Sequence, residues 1–226
     1  MSYLYQQKWR LLAEEKQCRF NAVKRRCVIY ELMILTFLMR GPMHGYLIAK
    51  IINDIIGPFA KVSNGRLYPL LAKLEAEGMI VAVEGASAVK VHERRQRAFQ
   101  ITDAGQKRFH QLMMDTTSNP GDYHNLIWVK VQFFEFLQPA EQLYLIDHYI
   151  NYCQTHIFYL TGEMDDLARE APQKGFLNPT QLDITLATMQ HFQNRWRLEL
   201  EQAKSWRARL VAQMEAMEPA PSQTQA

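Results

Sequence analysis

Apolar residues in the second half of this chain recur at alternating steps of three and four, and that spacing commits much of its length to paired helices. Leu143, Ile146, Ile150, Cys153, Ile157, Leu160, Met164 and Leu167 form one stripe. Leu182, Leu186, Met189, Gln193, Trp196, Leu200, Ala203, Arg207, Leu210, Met214 and Met217 form another, in which only Gln193 and Arg207 are polar. Such a stripe is buried only when a second helix lies against it. Pro172, Gly175 and Pro179 break the run between the two. Two heptad-patterned helices with a short link predict an antiparallel helical hairpin with coiled-coil packing. A shorter apolar helix over Leu126 to Leu137 precedes it.

The first half is patterned differently. A helix is expected from Arg25 to Met39, with Val28, Leu32, Leu35, Phe37 and Leu38 buried and Gly41-Pro42 as its stop. A second runs from about His44 to Ile56, with Ile48, Ile51, Ile52 and Ile55 on one face and Gly57-Pro58 beyond it. A third, from about Gly65 to Glu77, carries Leu67, Leu70, Leu71 and Leu74 inward. Ser63 or Asn64 is placed to cap it, and Pro69 requires a late start, because its missing N–H is tolerated only near the first turn. Met79 to Val83 and Ala98 to Thr102 read as two strands. The segment between them holds Lys90, His92, Arg94, Arg95 and Arg97 against Glu93, so the hairpin has a basic tip. Thr102-Asp103-Ala104-Gly105 then opens a fourth helix reaching about Met114, and Thr116 to Asp122 is a loop. The expected fold is mainly α: an N-terminal winged helix-turn-helix, with three helices and a two-stranded wing, followed by the C-terminal hairpin.

Charge follows the same division. Residues 1–114 hold 18 Lys and Arg against 9 Asp and Glu, whereas residues 115–226 hold 8 against 14. A basic half joined to an acidic half directs a polyanionic partner, double-stranded DNA, to the first. The third helix of a winged helix can enter the major groove, about 12 Å wide, with the wing along the backbone. Asn64 and Arg66 suit base edges, Tyr68 offers a hydroxyl and an aromatic face, and Lys73 suits a phosphate. Arg94, Arg95 and Arg97 suit phosphates, which gives an affinity that falls with salt.

Gly41-Pro42-Met43-His44-Gly45-Tyr46, followed by Ser63-Asn64-Gly65-Arg66-Leu67-Tyr68-Pro69-Leu70-Leu71-Ala72-Lys73-Leu74-Glu75-Ala76-Glu77-Gly78-Met79-Ile80, resembles the signature of the PadR family of bacterial transcriptional regulators. Arg94 to Gly105 resembles that family's wing strand and fourth helix. The resemblance implies a homodimeric repressor, less often an activator, whose C-terminal helices form the dimer and some of whose members respond to small aromatic or drug-like effectors. It also implies that Tyr46 contacts the DNA backbone and that Ser63, Gly65, Tyr68 and Pro69 belong to the recognition-helix signature. A segment of about two dozen residues before the winged helix, containing Tyr5, Trp9, Leu12 and Phe20, departs from the family pattern, as does a wing lengthened over Gly85 to Val91.

The expected organisation is therefore an extension over 1–24, the winged helix over 25–115, a dimerisation domain over 123–217 and a disordered tail over 218–226. Leu143, Ile146, Ile150, Ile157, Leu160, Leu186, Met189, Trp196, Leu200 and Leu210 are the candidate dimer seam, because a palindromic site calls for a two-fold symmetric reader. Tyr149, Tyr152, His156 and Tyr159 lie beside that seam. They either line a pocket for an aromatic effector or widen the dimer interface, where tyrosine is favoured.

Other functions lack their signatures. No Gly-rich phosphate loop, G-x-S-x-G elbow or H-E-x-x-H motif occurs, so no enzyme, metal or cofactor is expected. Cys18, Cys27 and Cys153 make neither a disulfide framework nor a zinc pattern. With no secretory signal and no apolar run long enough for a membrane span, the expected location is cytoplasmic. A protein-binding adaptor and a ligand-sequestering helical protein are the alternatives to a regulator that binds a palindromic operator.

Overall fold

The computed structural model describes residues 28–56, 63–83, 97–118, 121, 123–175 and 177–217. The extension over 1–24, Arg94, Arg95, the side chain of Asn64 and the tail over 218–226 lie outside the described residues. The chain forms two compact units that divide at Pro120 and Gly121.

In the first unit, helix α1 spans 28–39 and is enclosed along most of its length: Leu32, Met33, Ile34, Leu35, Phe37 and Leu38 are all buried. Two polar side chains go in with them. Thr36 donates to the Leu32 carbonyl at 2.7 Å, and Glu31 accepts from Arg108 Nε at 2.7 Å, so neither is buried without a partner. After the Gly41-Pro42 stop, strand β1 (Met43–His44) leads directly into α2 (Gly45–Ile56). Helix α3 covers Asn64–Ala76, strands β2 and β3 cover Ile80–Val83 and Ala98–Ile101, and α4 covers Asp103–Met114.

Two expectations change here. The sheet has three strands in the order β1-β3-β2, not two. Met43 pairs with Phe99 and His44 with Ala98, antiparallel, a pairing too short to carry an alternating sequence pattern. Strands β2 and β3 also pair antiparallel, with Ile80 opposite Ile101 and Val83 opposite Ala98. Nor does α3 start late. Pro69 lies inside it, in the second turn, so the helix forgoes the bond from residue 69 to the Gly65 carbonyl.

The junction of sheet and α4 is tight. The Thr102 hydroxyl donates to the Gly78 carbonyl at 2.7 Å and accepts from the Gly105 N–H at 3.2 Å, so it caps α4 while holding the start of β2.

In the second unit, α5 runs Tyr123–Val131 and is followed by a 3-10 turn at Phe134–Phe136, where a single helix to Leu137 had been expected. Helix α6 (Pro139–Lys174) continues through Pro172 and ends at Gly175; α7 runs Pro179–Met217. A capping box starts α6: Gln138 accepts from the Glu141 backbone, and the Glu141 carboxylate accepts from the Gln138 N–H. Helices α6 and α7 form the antiparallel hairpin. Arg207 Nε donates to Asp147 at 2.6 Å, and Gln193 Nε2 donates to Thr161 Oγ1 at 2.7 Å. The step from 147 to 161 on α6 matches the step back from 207 to 193 on α7, so the two polar seam residues fix one register. Leu145, Ile146, Cys153, Ala171, Ala203 and Leu210 are buried in the hairpin. Among the described residues no helix is long and apolar enough to cross a membrane.

Candidate nucleic-acid interface

Helix α3 separates its two faces cleanly. Leu67, Leu71 and Leu74 are almost wholly buried, at the spacing that points one stripe at the core. Ser63, Gly65, Arg66, Pro69, Ala72 and Lys73 are exposed, and Tyr68 is 46% exposed. The Ser63 hydroxyl makes no capping hydrogen bond, although Ser63 is the N-cap. The N-terminus of α3 therefore presents backbone N–H groups and a hydroxyl, an arrangement that suits an anion. Arg66 forms no ion pair among the described residues. Lys73 reaches Glu77 at 3.7 Å, one turn on, with both side chains substantially exposed; such a pair contributes little and yields easily to a phosphate.

Three neighbours build the rest of the surface. Gly45 starts α2 against α3 and β3: a Cβ there would meet Leu71 Cδ1 at 3.2 Å and Phe99 Cε2 at 3.5 Å. That close approach sets Tyr46, 39% exposed, at the start of α2, its ring 5.9 Å from that of His44. Lys50 lies one turn further and is exposed; the sequence reading missed it because a single lysine on an apolar helix carries no motif. Arg97, at the foot of the wing, reaches Glu75 of α3 at 3.7 Å. Arg97 is thus tied to the third helix as well as facing solvent, a contact with Glu75 that no local pattern announced. Tyr46, Ser63, Gly65, Arg66, Tyr68, Lys73 and Arg97 are accordingly all partly or fully open to solvent on the first unit.

Residues 34–111 match the family model of the PadR-like transcriptional regulators. The chain is also 24% identical over 146 residues, 65% of its length, to the negative transcriptional regulator PadR of Bacillus subtilis, covering 79% of that protein. A crystal structure of B. subtilis PadR in complex with operator DNA aligns with 83% of this chain and 98% of that one, at 20% identity and a TM-score of 0.35. A structure of the same protein with p-coumaric acid aligns with 82% and 97%, at 19% identity and a TM-score of 0.34. The PadR-like domain is a regulator domain rather than an enzyme.

Outside the PadR-like domain, the second unit gathers the candidate effector residues only in part. Tyr149 is completely buried. Its hydroxyl donates to Glu199 Oε2 at 2.8 Å, and Trp128 Nε1 donates to the same oxygen at 2.7 Å, so one carboxylate ties α5, α6 and α7 together. Burial, then the bond to Glu199, raises the Tyr149 phenol well above its ordinary value and keeps it protonated. Tyr152 stacks on Tyr149 at 6.0 Å and meets Trp196 edge-on at 5.5 Å. His156 lies flat on Trp196, centroids 4.1 Å apart. Tyr159 is 60% exposed and stands outside this layer. Cys153 is buried, and that burial pushes its thiol up to about 12, which makes it a packing residue and not a nucleophile.

The proposed dimer seam is engaged at home. Ile146 and Leu210 are buried and Trp196 is half-buried in the monomer's own unit, against α5 and the hairpin partner. Leu143, Ile150, Ile157, Leu160, Leu186, Met189 and Leu200 are likewise partly covered before any second copy is present.

Proposed function

We propose that the protein is a sequence-specific, cytoplasmic DNA-binding repressor that acts as a homodimer on a palindromic operator, with α3 in the major groove. The observation that carries this reading is the split surface of α3, apolar side chains inward and Ser63, Arg66, Tyr68 and Lys73 outward, on a PadR-like domain. Arg66 reads a base edge, since its guanidinium forks are geometrically matched to guanine. Ser63, Tyr46, Lys50 and Lys73 hold phosphates and set the register of the helix in the groove. The wing arginines Arg94, Arg95 and Arg97 add phosphate contacts that salt weakens.

The homodimer uses a face other than the one its heptads first indicate. Phe158 of α6 and Ile184 and Leu198 of α7 are 81%, 60% and 63% exposed, and exposed large apolar side chains favour cover by a second copy. A small aromatic effector releasing the protein from DNA would have to enter the layer at Tyr149, Tyr152 and His156 by displacing the contacts these rings make with one another, with Trp196 and with Glu199.

Fluorescence anisotropy with operator fragments selected from genomic DNA tests the reading. Arg66→Ala is expected to cost about 1–3 kcal/mol on the selected site and little on random duplex, because it removes base readout. Lys73→Ala is expected to weaken both alike and to lower the salt slope by about one. Equal losses on both duplexes for Arg66→Ala contradict the assignment.

A further inference from the structure

Where α5 meets the hairpin, the second unit holds a cluster of cationic and imidazole side chains that DNA reading does not use. The Lys130 side chain is fully buried, its Nζ 5.7 Å from the centroid of the Tyr123 ring. His148 of α6 meets the same ring edge-on, at 5.0 Å and 82°. The Nδ1 of His148 is buried and has no hydrogen-bond partner among the described residues. About two turns along α6, His156 lies parallel to Trp196 of α7, and His124 of α5 meets that indole edge-on at 5.6 Å with its own Nδ1 buried.

One acidic group of this joint, Glu199, already accepts from Trp128 and Tyr149. Asp147, next to His148 in sequence, is paired with Arg207. Facing His148 are the ammonium of Lys130 and the rings of Tyr123 and Tyr144; facing His156 are His124, Tyr152 and Trp196. A neutral imidazole suits such surroundings. An imidazolium at His148 stands beside a buried positive charge, with little water to screen the two.

We propose that the joint between α5 and the hairpin is a proton-operated latch, closed while His148 is neutral and loosened when mild acid sets a second positive charge beside Lys130. Burial first, then the Lys130 charge, holds the His148 imidazole below its ordinary value of 6.5. Burial and then His124 do the same for His156. The opened form therefore takes up protons more readily than the closed one. The closed joint keeps its full stability above about pH 6.5 and loses it as the pH falls below that value. Helix α5 is the first element after the boundary at Pro120, so the latch acts on the element of this unit nearest that boundary in the chain.

The test is made on the full chain, by imidazole NMR titration and by hydrogen exchange over residues 123–131 at about pH 7.5 and about pH 5.5. His148 is expected to titrate below 6.5. Exchange in α5, corrected for its intrinsic pH dependence, is expected to rise by up to about tenfold from the His148 imidazole between these two pH values. His148→Gln is expected to reduce that rise to what His156 contributes, and Lys130→Met to move the His148 titration back toward 6.5. Should Lys130→Met fail to fold, the wild-type titration and His148→Gln decide together. His148 titrating at or above 6.5, corrected exchange that is flat between the two pH values, or the same rise in His148→Gln overturns the proposal.

Discussion

A Cβ built on Gly105 would lie 2.1 Å from the Met79 carbonyl oxygen and 2.7 Å from Ile101 Cγ1. The obstacle is backbone on one side and a strand side chain on the other, so relief requires moving α4 away from β2. Gly105→Ala is therefore expected to destabilise the first unit by about 1–3 kcal/mol, the usual cost of overpacking a filled site, and to lower the unfolding midpoint in urea. An unchanged midpoint would show that the α4 junction is loose. The sequence placed Gly105 in the first turn of a helix opened by Thr102, and the structure keeps that start. What it could not disclose was the reason for glycine there, because Met79 and Gly105 meet only once β2 and β3 have paired between them. Arg97 and Glu75 teach the same lesson: each has an obvious local role, and their contact exists only in three dimensions.

Helices proved more legible than the contacts between them. Each helix of the first unit was predicted to within a few residues, since apolar spacing and Gly-Pro stops act locally. The two-residue strand β1 was not, because Met43 and His44 become a strand only by pairing with β3. Among the long helices the heptads indicated pairing without saying with what. The register rests on Gln193 with Thr161 and Arg207 with Asp147, the two polar positions that looked like flaws in the pattern. Polar residues in an apolar seam can specify one alignment at some cost in stability. Glu199 was invisible as a node, since a lone glutamate beside a seam normally faces water. Glu199→Ala is expected to cost about 2–4 kcal/mol, as it strips the acceptor from both the Trp128 N–H and the buried Tyr149 hydroxyl. Glu199→Gln, which retains an acceptor oxygen, is expected to cost about 1 kcal/mol or less. Thermal unfolding followed by near-ultraviolet circular dichroism reads both, and equal losses for the two variants would contradict the shared-acceptor role.

The whole molecule joins a basic, PadR-like first half to an acidic helical second half. The proposed two-fold pairing would give the first half two reading helices and the exposed apolar residues of the hairpin a partner. Leu198→Arg is expected to reduce the mass measured by light scattering to that of one chain, because it places a charge on an exposed apolar position outside the hairpin's own seam. Leu200→Arg, within the seam, is expected to destabilise the hairpin itself. A dimer that persists in Leu198→Arg would move the interface elsewhere. The most direct test of the central claim is the affinity of the full chain for a selected palindromic duplex and for its scrambled counterpart at physiological salt. The account predicts binding to the palindrome at least about a thousandfold tighter, with two chains per duplex; equal affinity for the two duplexes would contradict it.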